Sequence, residues 1–131
     1  MGTEKDLIQS YKDLIVWQKA MELVVLIYEL TEQFPKSEVY GLTSQMRRAV
    51  VSIPSNIAEG KYRGSRKDFR NFMRNAYGSG AELETQMEVA KRLPFGQNLD
   101  YSRIDPLLSE VMRMLNRFID SLKPINLLSR T

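Results

Sequence analysis

The sequence predicts an all-α fold, an antiparallel up-and-down four-helix bundle, with residues 1–131 forming a single domain. Apolar residues recur at helical spacing in four separate segments, residues 14–33, 42–60, 66–92 and 104–122. Each segment is bounded by glycine, proline or a helix-capping residue, as real helices are. With 131 residues, of which 43% are apolar, the chain is long enough to bury one core without disulfides or metals.

The first segment, residues 14–33, is stopped by the Phe34-Pro35 pair, since proline cannot continue a helix. Its apolar residues cover an arc of about 220° on a helical wheel, whereas a bundle helix needs a stripe only somewhat wider than about 100°. A central helix surrounded by its own neighbours would explain the surplus, but four helices leave no central position. The surplus face therefore predicts contact with another subunit, through Trp17, Val24 and Tyr28.

The second segment ends at Gly60, which suits a C-terminal cap. Pro54 lies inside it and predicts either a kink there or a break at Ser52. The third helix follows directly, because Ser65 is a suitable N-cap and Asp68 stands at the capping-box position three residues later.

Two glycines, Gly78 and Gly80, lie in the middle of the third helix and predict the close approach of another backbone. This explanation is favoured over a phosphate-binding loop, since no strand precedes them and no Gly-Lys-Ser/Thr follows them. Ser102 and Asp105 predict a second capping box at the start of the fourth helix. We expect residues 125–131 to be frayed.

Composition excludes most familiar enzyme chemistry. The chain has no Cys and no His, so it lacks thiolate nucleophiles, imidazole bases and the usual zinc ligands. We therefore predict no enzyme activity, no metal site and no cofactor. The apolar runs are too short to span a membrane, and the first six residues carry no signal peptide, with Asp6 at a position where myristoylation requires Ser or Thr. A cytoplasmic location is expected.

The distinctive chemical feature is a basic segment from Lys61 to Arg74, with six cations against one acid. Four of the cations share an arc of about 100° on the third helix, and we expect them to project together into solvent. We call Arg66, Lys67, Arg70 and Arg74 the basic ridge. Positive charge at a helix N-terminus costs about 0.3 to 1 kcal/mol per residue, so helix stability does not explain the ridge. It predicts binding of RNA or DNA, with contributions from Arg63, Arg47 and Arg48.

Other interpretations stay open. The ridge could be a solvated helix face, neutralised by Glu59, Glu84 or Glu88, as charge runs usually are. The protein could be a structural or protein-interaction scaffold that ignores nucleic acid. An enzyme with Glu59 as general base beside Arg48 or Arg63 is the least favoured hypothesis; an Arg-Glu-Asn network that fixes a helix junction explains these residues better.

Several stretches resemble one known family. They are DLIVWQKA (residues 13–20), FPKSEVYGL (34–42), QMRRA (45–49), SIPSNIAEG (52–60) and GS with ELETQ (78–79 and 82–86). They are similar to the four-helix bundle proteins first noticed as open reading frames in intervening sequences of bacterial 23S ribosomal RNA genes. The similarity spans about residues 11–122 and departs from the family pattern at Gly80 and in the connection 93–98.

The resemblance implies an up-and-down bundle assembled as a pentameric ring. It also implies distant kinship with the accessory variability determinants of diversity-generating retroelements, which are basic and act with RNA and a reverse transcriptase. It implies no established activity for ordinary members. A ring would repeat the basic ridge on every subunit, which would strengthen binding to a polyanion.

Overall fold

The computed structural model describes residues 10–124, which form four α-helices and no β-strand. The helices are α1 (Ile15–Glu32), α2 (Leu42–Arg63), α3 (Arg66–Arg92) and α4 (Ile104–Ser121), with 3₁₀ turns at Tyr11–Asp13 and Lys36–Glu38. The four predicted helices are thus confirmed. The expectations about the first six residues and about fraying of residues 125–131 lie outside the described residues.

Each helix packs against two others, in the cyclic order α1, α2, α3, α4 and back to α1. The α3–α4 pair shows the antiparallel arrangement directly: Lys91 at the end of α3 contacts Asp105 at the start of α4, whereas Arg66 at the start of α3 contacts Ser121 at the end of α4. The core between the four helices is apolar. Its fully buried large side chains include Leu23, Ile27, Met46, Ile53, Ile57, Met73, Leu83, Met87, Val111 and Leu115.

The turn from α2 to α3 begins three residues later than the sequence indicated. Gly60 does not cap α2, because the helix continues to Arg63 and ends at Gly64, whose φ of 81° is the left-handed conformation that suits glycine. Gly60 instead lies where α2 and α3 meet, and a Cβ there would stand 2.7 Å from the Cβ of Phe72. The predicted N-cap of α3 is confirmed, since the Oγ of Ser65 accepts a hydrogen bond from the backbone N–H of Asp68 at 3.0 Å.

Two expectations concern residues inside the helices. A break at Ser52 is wrong, since α2 continues through Ser52 and the buried Pro54, and the alternative, a kink at Pro54, stays a prediction. The glycines of α3 do not meet a second backbone: a Cβ at Gly80 would collide with the side chain of Met112, and a Cβ at Gly78 would meet nothing within 4 Å. Gly80 therefore makes room for a core side chain of α4.

The predicted capping box at α4 is also wrong. The N-cap of this helix is Arg103, whose side chain makes no capping hydrogen bond. Ser102 lies one residue earlier, where its backbone N–H donates to the Oδ1 of Asp100 at 2.9 Å. Asp105 accepts instead from the Nζ of Lys91 at 2.8 Å, so its carboxylate links α4 to α3.

α1 carries more apolar surface than the bundle buries. One face of the helix is in the core, while Val25 is 55%, Tyr28 40% and Met21 39% exposed. Trp17 and Val24 lie at the edge of this exposed surface and are partly buried against the core. Of the three residues predicted to contact another subunit, Tyr28 is thus the most exposed, and the sequence argument did not single out Met21 and Val25.

Candidate nucleic-acid interface

The basic ridge lies at the end of the bundle where α2 and α4 end and α3 begins. The left-handed Gly64 and the cap at Ser65 reverse the chain within two residues, so the first turns of α3 run alongside the last turns of α4. The cations at the start of α3 therefore lie beside the C-terminus of α4, where unpaired carbonyl groups give partial negative charge.

Two ridge residues use this proximity. The Nη2 of Arg66 donates to the carbonyl oxygens of Ser121 at 2.6 Å and Lys123 at 3.3 Å, and the Nε of Arg70 donates to the carbonyl oxygen of Ile119 at 3.1 Å. These bonds satisfy carbonyls at the end of α4. Arg66 is exposed, as expected, but its guanidinium is held against α4, whereas Arg70 is only half-exposed and is held there too.

The other two ridge residues, Lys67 and Arg74, are exposed on the outer side of α3. Neither makes a hydrogen bond, ion pair or ring contact with the part of the chain that the structure describes. Lys67 and Arg74 are seven residues apart, two helical turns, so their side chains lie on the same side of the helix about 10 Å apart along its axis. They are the cations of the ridge that remain available to a ligand.

No carboxylate of residues 10–124 forms an ion pair with the ridge. Asp120 is close to it, but its Oδ1 pairs with the Nζ of Lys123 at 2.6 Å. The hydrogen bond from Lys123 and, more weakly, the charge of Arg70 lower the pKa of Asp120. Glu88 pairs with Lys91 at the other end of α3. Arg66 and Arg70 are thus hydrogen-bonded to carbonyl groups of α4, and Asp120, the acid beside them, is paired with Lys123.

Arg63 differs from the ridge, because Glu59 pairs with it at 2.9 Å and raises its pKa. Its guanidinium also lies 5.2 Å from the ring centroid of Phe72. The predicted Arg-Glu-Asn network does not form as one unit: Asn56 donates to the backbone oxygen and to the Oγ of Ser52 instead. Glu59 is therefore half of a surface ion pair.

Arg47 and Arg48 are not brought to the ridge, since the start of α2 lies at the opposite end of the bundle. Arg47 ties α2 to α1: its Nε donates to the Oγ1 of Thr31 at 2.8 Å, and its Nη2 pairs with Glu32 at 3.2 Å. Arg47 also lies over the ring of Tyr28, 4.4 Å from the centroid. Arg48 is exposed beside a groove of about 650 Å³ between α2 and α3.

Sequence reasoning missed the partners of the ridge and an aromatic cluster at the same end. The carbonyls that hold Arg66 and Arg70 carry no sequence signal, because any residue supplies them. The cluster consists of Tyr11, Trp17 and Tyr62, with the ring centroid of Tyr11 5.3 Å from that of Trp17 and 5.8 Å from that of Tyr62. Two sequence patterns could have indicated this cluster: the alternation of basic and aromatic residues around Tyr62, and the Ser-x-x-Asp capping pattern before α1.

Two other findings bear on the kind of site. Within residues 10–124, no group of three or more acidic, histidine or cysteine side chains is placed to hold a metal ion. Among the helices that the structure describes, none combines the length and the apolar character needed to cross a membrane.

Comparison with known proteins identifies a family and a similar solved structure. Residues 12–117 match the family described as 23S rRNA-intervening sequence protein. The fold is similar to a crystal structure from Bacteroides thetaiotaomicron, described as a protein of unknown function from the S23 ribosomal protein family. The two chains are 26% identical with a TM-score of 0.73, over 80% of this chain and 98% of the other. No curated protein matches this chain.

Proposed function

Because this chain belongs to the 23S rRNA-intervening sequence protein family, we propose that it is a non-enzymatic, self-associating bundle protein that binds nucleic acid through the basic ridge. The family description, which refers to an intervening sequence of ribosomal RNA, favours RNA over DNA as the ligand. The solved relative is described as a protein of unknown function.

The observation that carries the proposal is how the ridge cations are held. Arg66 and Arg70 are fixed by carbonyl oxygens, which restrict the guanidinium groups without supplying a formal negative charge. An arginine that is already positioned loses less side-chain entropy when it binds a phosphate, and it has further N–H donors for that contact. Lys67 and Arg74 add two unpaired cations, so the surface is ordered and still strongly positive.

Self-association is supported by the apolar surface of α1. Met21, Val25 and Tyr28 are each about 40 to 55% exposed on one helix, and Val51 of α2 is 39% exposed. Contiguous apolar surface of this kind is uncommon on monomers and is typical of subunit contacts. The fivefold order of the proposed ring follows from the family resemblance. A ring would present five ridges and so raise the affinity for a long polyanion.

A scaffold that binds protein instead of nucleic acid is the second candidate. It is supported by a groove of about 590 Å³ between α1 and α4, whose apolar residues Val25, Leu26 and Leu107 are bordered by Glu22 and Glu29. Such a groove could take an apolar, basic segment of a protein partner. This hypothesis predicts that changes in the ridge have no effect on the partner that the protein retains.

Charge reversal at Lys67 and Arg74 tests the proposal. We expect the double variant Lys67→Glu, Arg74→Glu to bind RNA on the order of 100-fold more weakly at moderate salt, because two phosphate contacts become repulsive. Both side chains are exposed, so the variant should keep its helical circular dichroism and its assembly mass. Arg66 and Arg70 are less suitable targets, because replacing them would also remove hydrogen bonds to the end of α4.

The matched control is Lys36→Glu, Arg103→Glu, which changes the net charge equally. Both residues are exposed, and they lie at the opposite end of the bundle from the ridge. Affinity should be measured by fluorescence anisotropy with a labelled RNA. If the two double variants lose affinity equally, binding depends on net charge alone and the ridge is not the site; if neither loses affinity, the scaffold hypothesis is favoured.

A further inference from the structure

We propose that Tyr62 is a stacking site for an unpaired nucleobase, so that the nucleic acid bound at this end of the bundle is single-stranded. The inference rests on the proposed function and adds the class of ligand. Tyr62 lies near the end of α2 and is 80% exposed. Stacking of bases on exposed aromatic rings is the usual way in which proteins hold single strands without reading their sequence.

The ring of Tyr62 is supported on one side and open on the other. Its centroid lies 5.8 Å from that of Tyr11, with an angle of 53° between the ring planes, and Tyr11 lies 5.3 Å from Trp17. The three rings come from the 3₁₀ turn, α1 and α2, three separate elements. A side chain with such support is partly ordered before a base arrives, which lowers the entropy lost on binding.

The support is itself fixed by local hydrogen bonds. The Oγ of Ser10 accepts from the backbone N–H of Lys12 at 2.9 Å, and the backbone N–H of Ser10 donates to the Oδ2 of Asp13 at 3.3 Å. This reciprocal capping box holds the 3₁₀ turn that carries Tyr11. The turn packs against both α1 and α2.

The charges around Tyr62 suit a nucleic acid backbone. Lys12 is exposed on the turn that supports the ring. Of the two cations that flank Tyr62 in the sequence, Arg63 is paired with Glu59 and Lys61 lies over the ring of Phe69, so Lys12 is the nearby cation without such a partner among residues 10–124. The basic ridge begins at Arg66, just beyond Gly64, so the ring and the ridge occupy the same end of the bundle. A strand that crosses this end could place phosphates along the ridge and a base on Tyr62.

A duplex could use the ridge but not the ring. The bases of a duplex are paired and stacked on one another, so an exposed tyrosine reaches them only if the helix is opened. The ring therefore distinguishes single strands from duplexes, whereas the ridge attracts both. Tyr40 provides the contrast within this chain: it is 95% exposed, but it lies at the opposite end of the bundle and no ring of residues 10–124 stacks on it.

The test compares Tyr62→Ala with Tyr40→Ala. Dissociation constants are measured at one salt concentration for a uridine oligomer, the corresponding deoxyuridine oligomer and a mixed-sequence RNA duplex of the same length. We expect Tyr62→Ala to weaken binding of both single strands by about 5- to 150-fold, the range that stacking of one base provides. Binding of the duplex should not change, and Tyr40→Ala should change none of the three constants.

Tyr62→Phe keeps the ring and should bind like the wild type, which separates stacking from a role of the hydroxyl group. The affinity of the wild type for the two single strands then distinguishes RNA from DNA as the preferred ligand. The proposal is overturned if Tyr62→Ala leaves single-strand binding unchanged, if it weakens duplex binding to the same extent, or if it changes the mass of the assembly, which would place Tyr62 in a subunit contact.

Failure of this inference can be told apart from failure of the proposed function. If Lys67→Glu, Arg74→Glu loses affinity for all three ligands and Tyr62→Ala loses none, the ridge binds nucleic acid and the stacking site is refuted. If the wild type binds none of the three ligands, the proposed function itself fails, and the stacking site fails with it.

Discussion

Replacing Leu83 with alanine should lower the free energy of unfolding by about 2 to 5 kcal/mol, the range found when a buried leucine is truncated. Leu83 lies in the middle of α3 and is fully buried in the core that the four helices share. Truncation loses the favourable free energy of burying the deleted methyl groups. It also leaves a cavity, because the surrounding helices are joined by short connections and cannot close it fully. Urea unfolding followed by circular dichroism measures the loss.

Val89→Ala is the matched control for this prediction. Val89 is on the same helix but 42% exposed, so its truncation should change the free energy of unfolding by no more than about 0.5 kcal/mol. The comparison requires equal protein concentrations, since self-association would add to the apparent stability. A loss below about 1 kcal/mol for Leu83→Ala would contradict the packing of α3 described above.

Substitution by alanine should change the free energy of unfolding in opposite directions at two of the helical glycines, Gly60 and Gly78. At Gly60 the new methyl group would stand 2.7 Å from the Cβ of Phe72 and 3.1 Å from the Cδ1 of Phe69. The Cβ of Phe72 cannot move without the backbone of α3, so the helices must separate. We expect Gly60→Ala to lower the free energy of unfolding by about 1 to 3 kcal/mol, as overpacked cores do.

Gly78→Ala supplies the control, because a Cβ there meets no atom within 4 Å. The substitution should raise the free energy of unfolding by up to about 1 kcal/mol, since alanine is the better helix former. Thermal unfolding of both variants shows the signs directly. Stabilisation by Gly60→Ala would mean that α2 and α3 are less closely packed than the structure indicates.

Much of the fold could be predicted from the sequence, because helix formation here depends on local patterns. The apolar periodicity gave the four helices to within about three residues, and the cap at Ser65 was found from two side chains alone. The errors at the helix ends have tertiary causes. Gly60 looked like a cap, but it is enclosed by Phe69 and Phe72 of the next helix, a contact invisible to a local pattern.

The candidate site was only partly predictable for the same reason. The wheel placed Arg66, Lys67, Arg70 and Arg74 on one side of α3, and it could not show that α4 ends beside Arg66 and Arg70. Arg66 and Arg70 therefore stabilise the contact between α3 and α4, in addition to their proposed role in binding the ligand. Arg47 was grouped with the ridge from its charge, whereas its partners Thr31 and Glu32 lie on α1. Charge and periodicity thus predict which residues share a surface, but only the tertiary contacts show which of those residues are unpaired and can bind a ligand.

The most direct test of the proposed function is the salt dependence of binding to a single-stranded RNA. The logarithm of the binding constant should fall linearly with the logarithm of the salt concentration, with a slope of about 0.7 for each phosphate contact. For Lys67→Glu, Arg74→Glu the slope should be shallower by about 1.4 per bound subunit, which corresponds to two lost contacts. A slope equal to that of the wild type would show that Lys67 and Arg74 do not contact the backbone and would contradict the proposed interface.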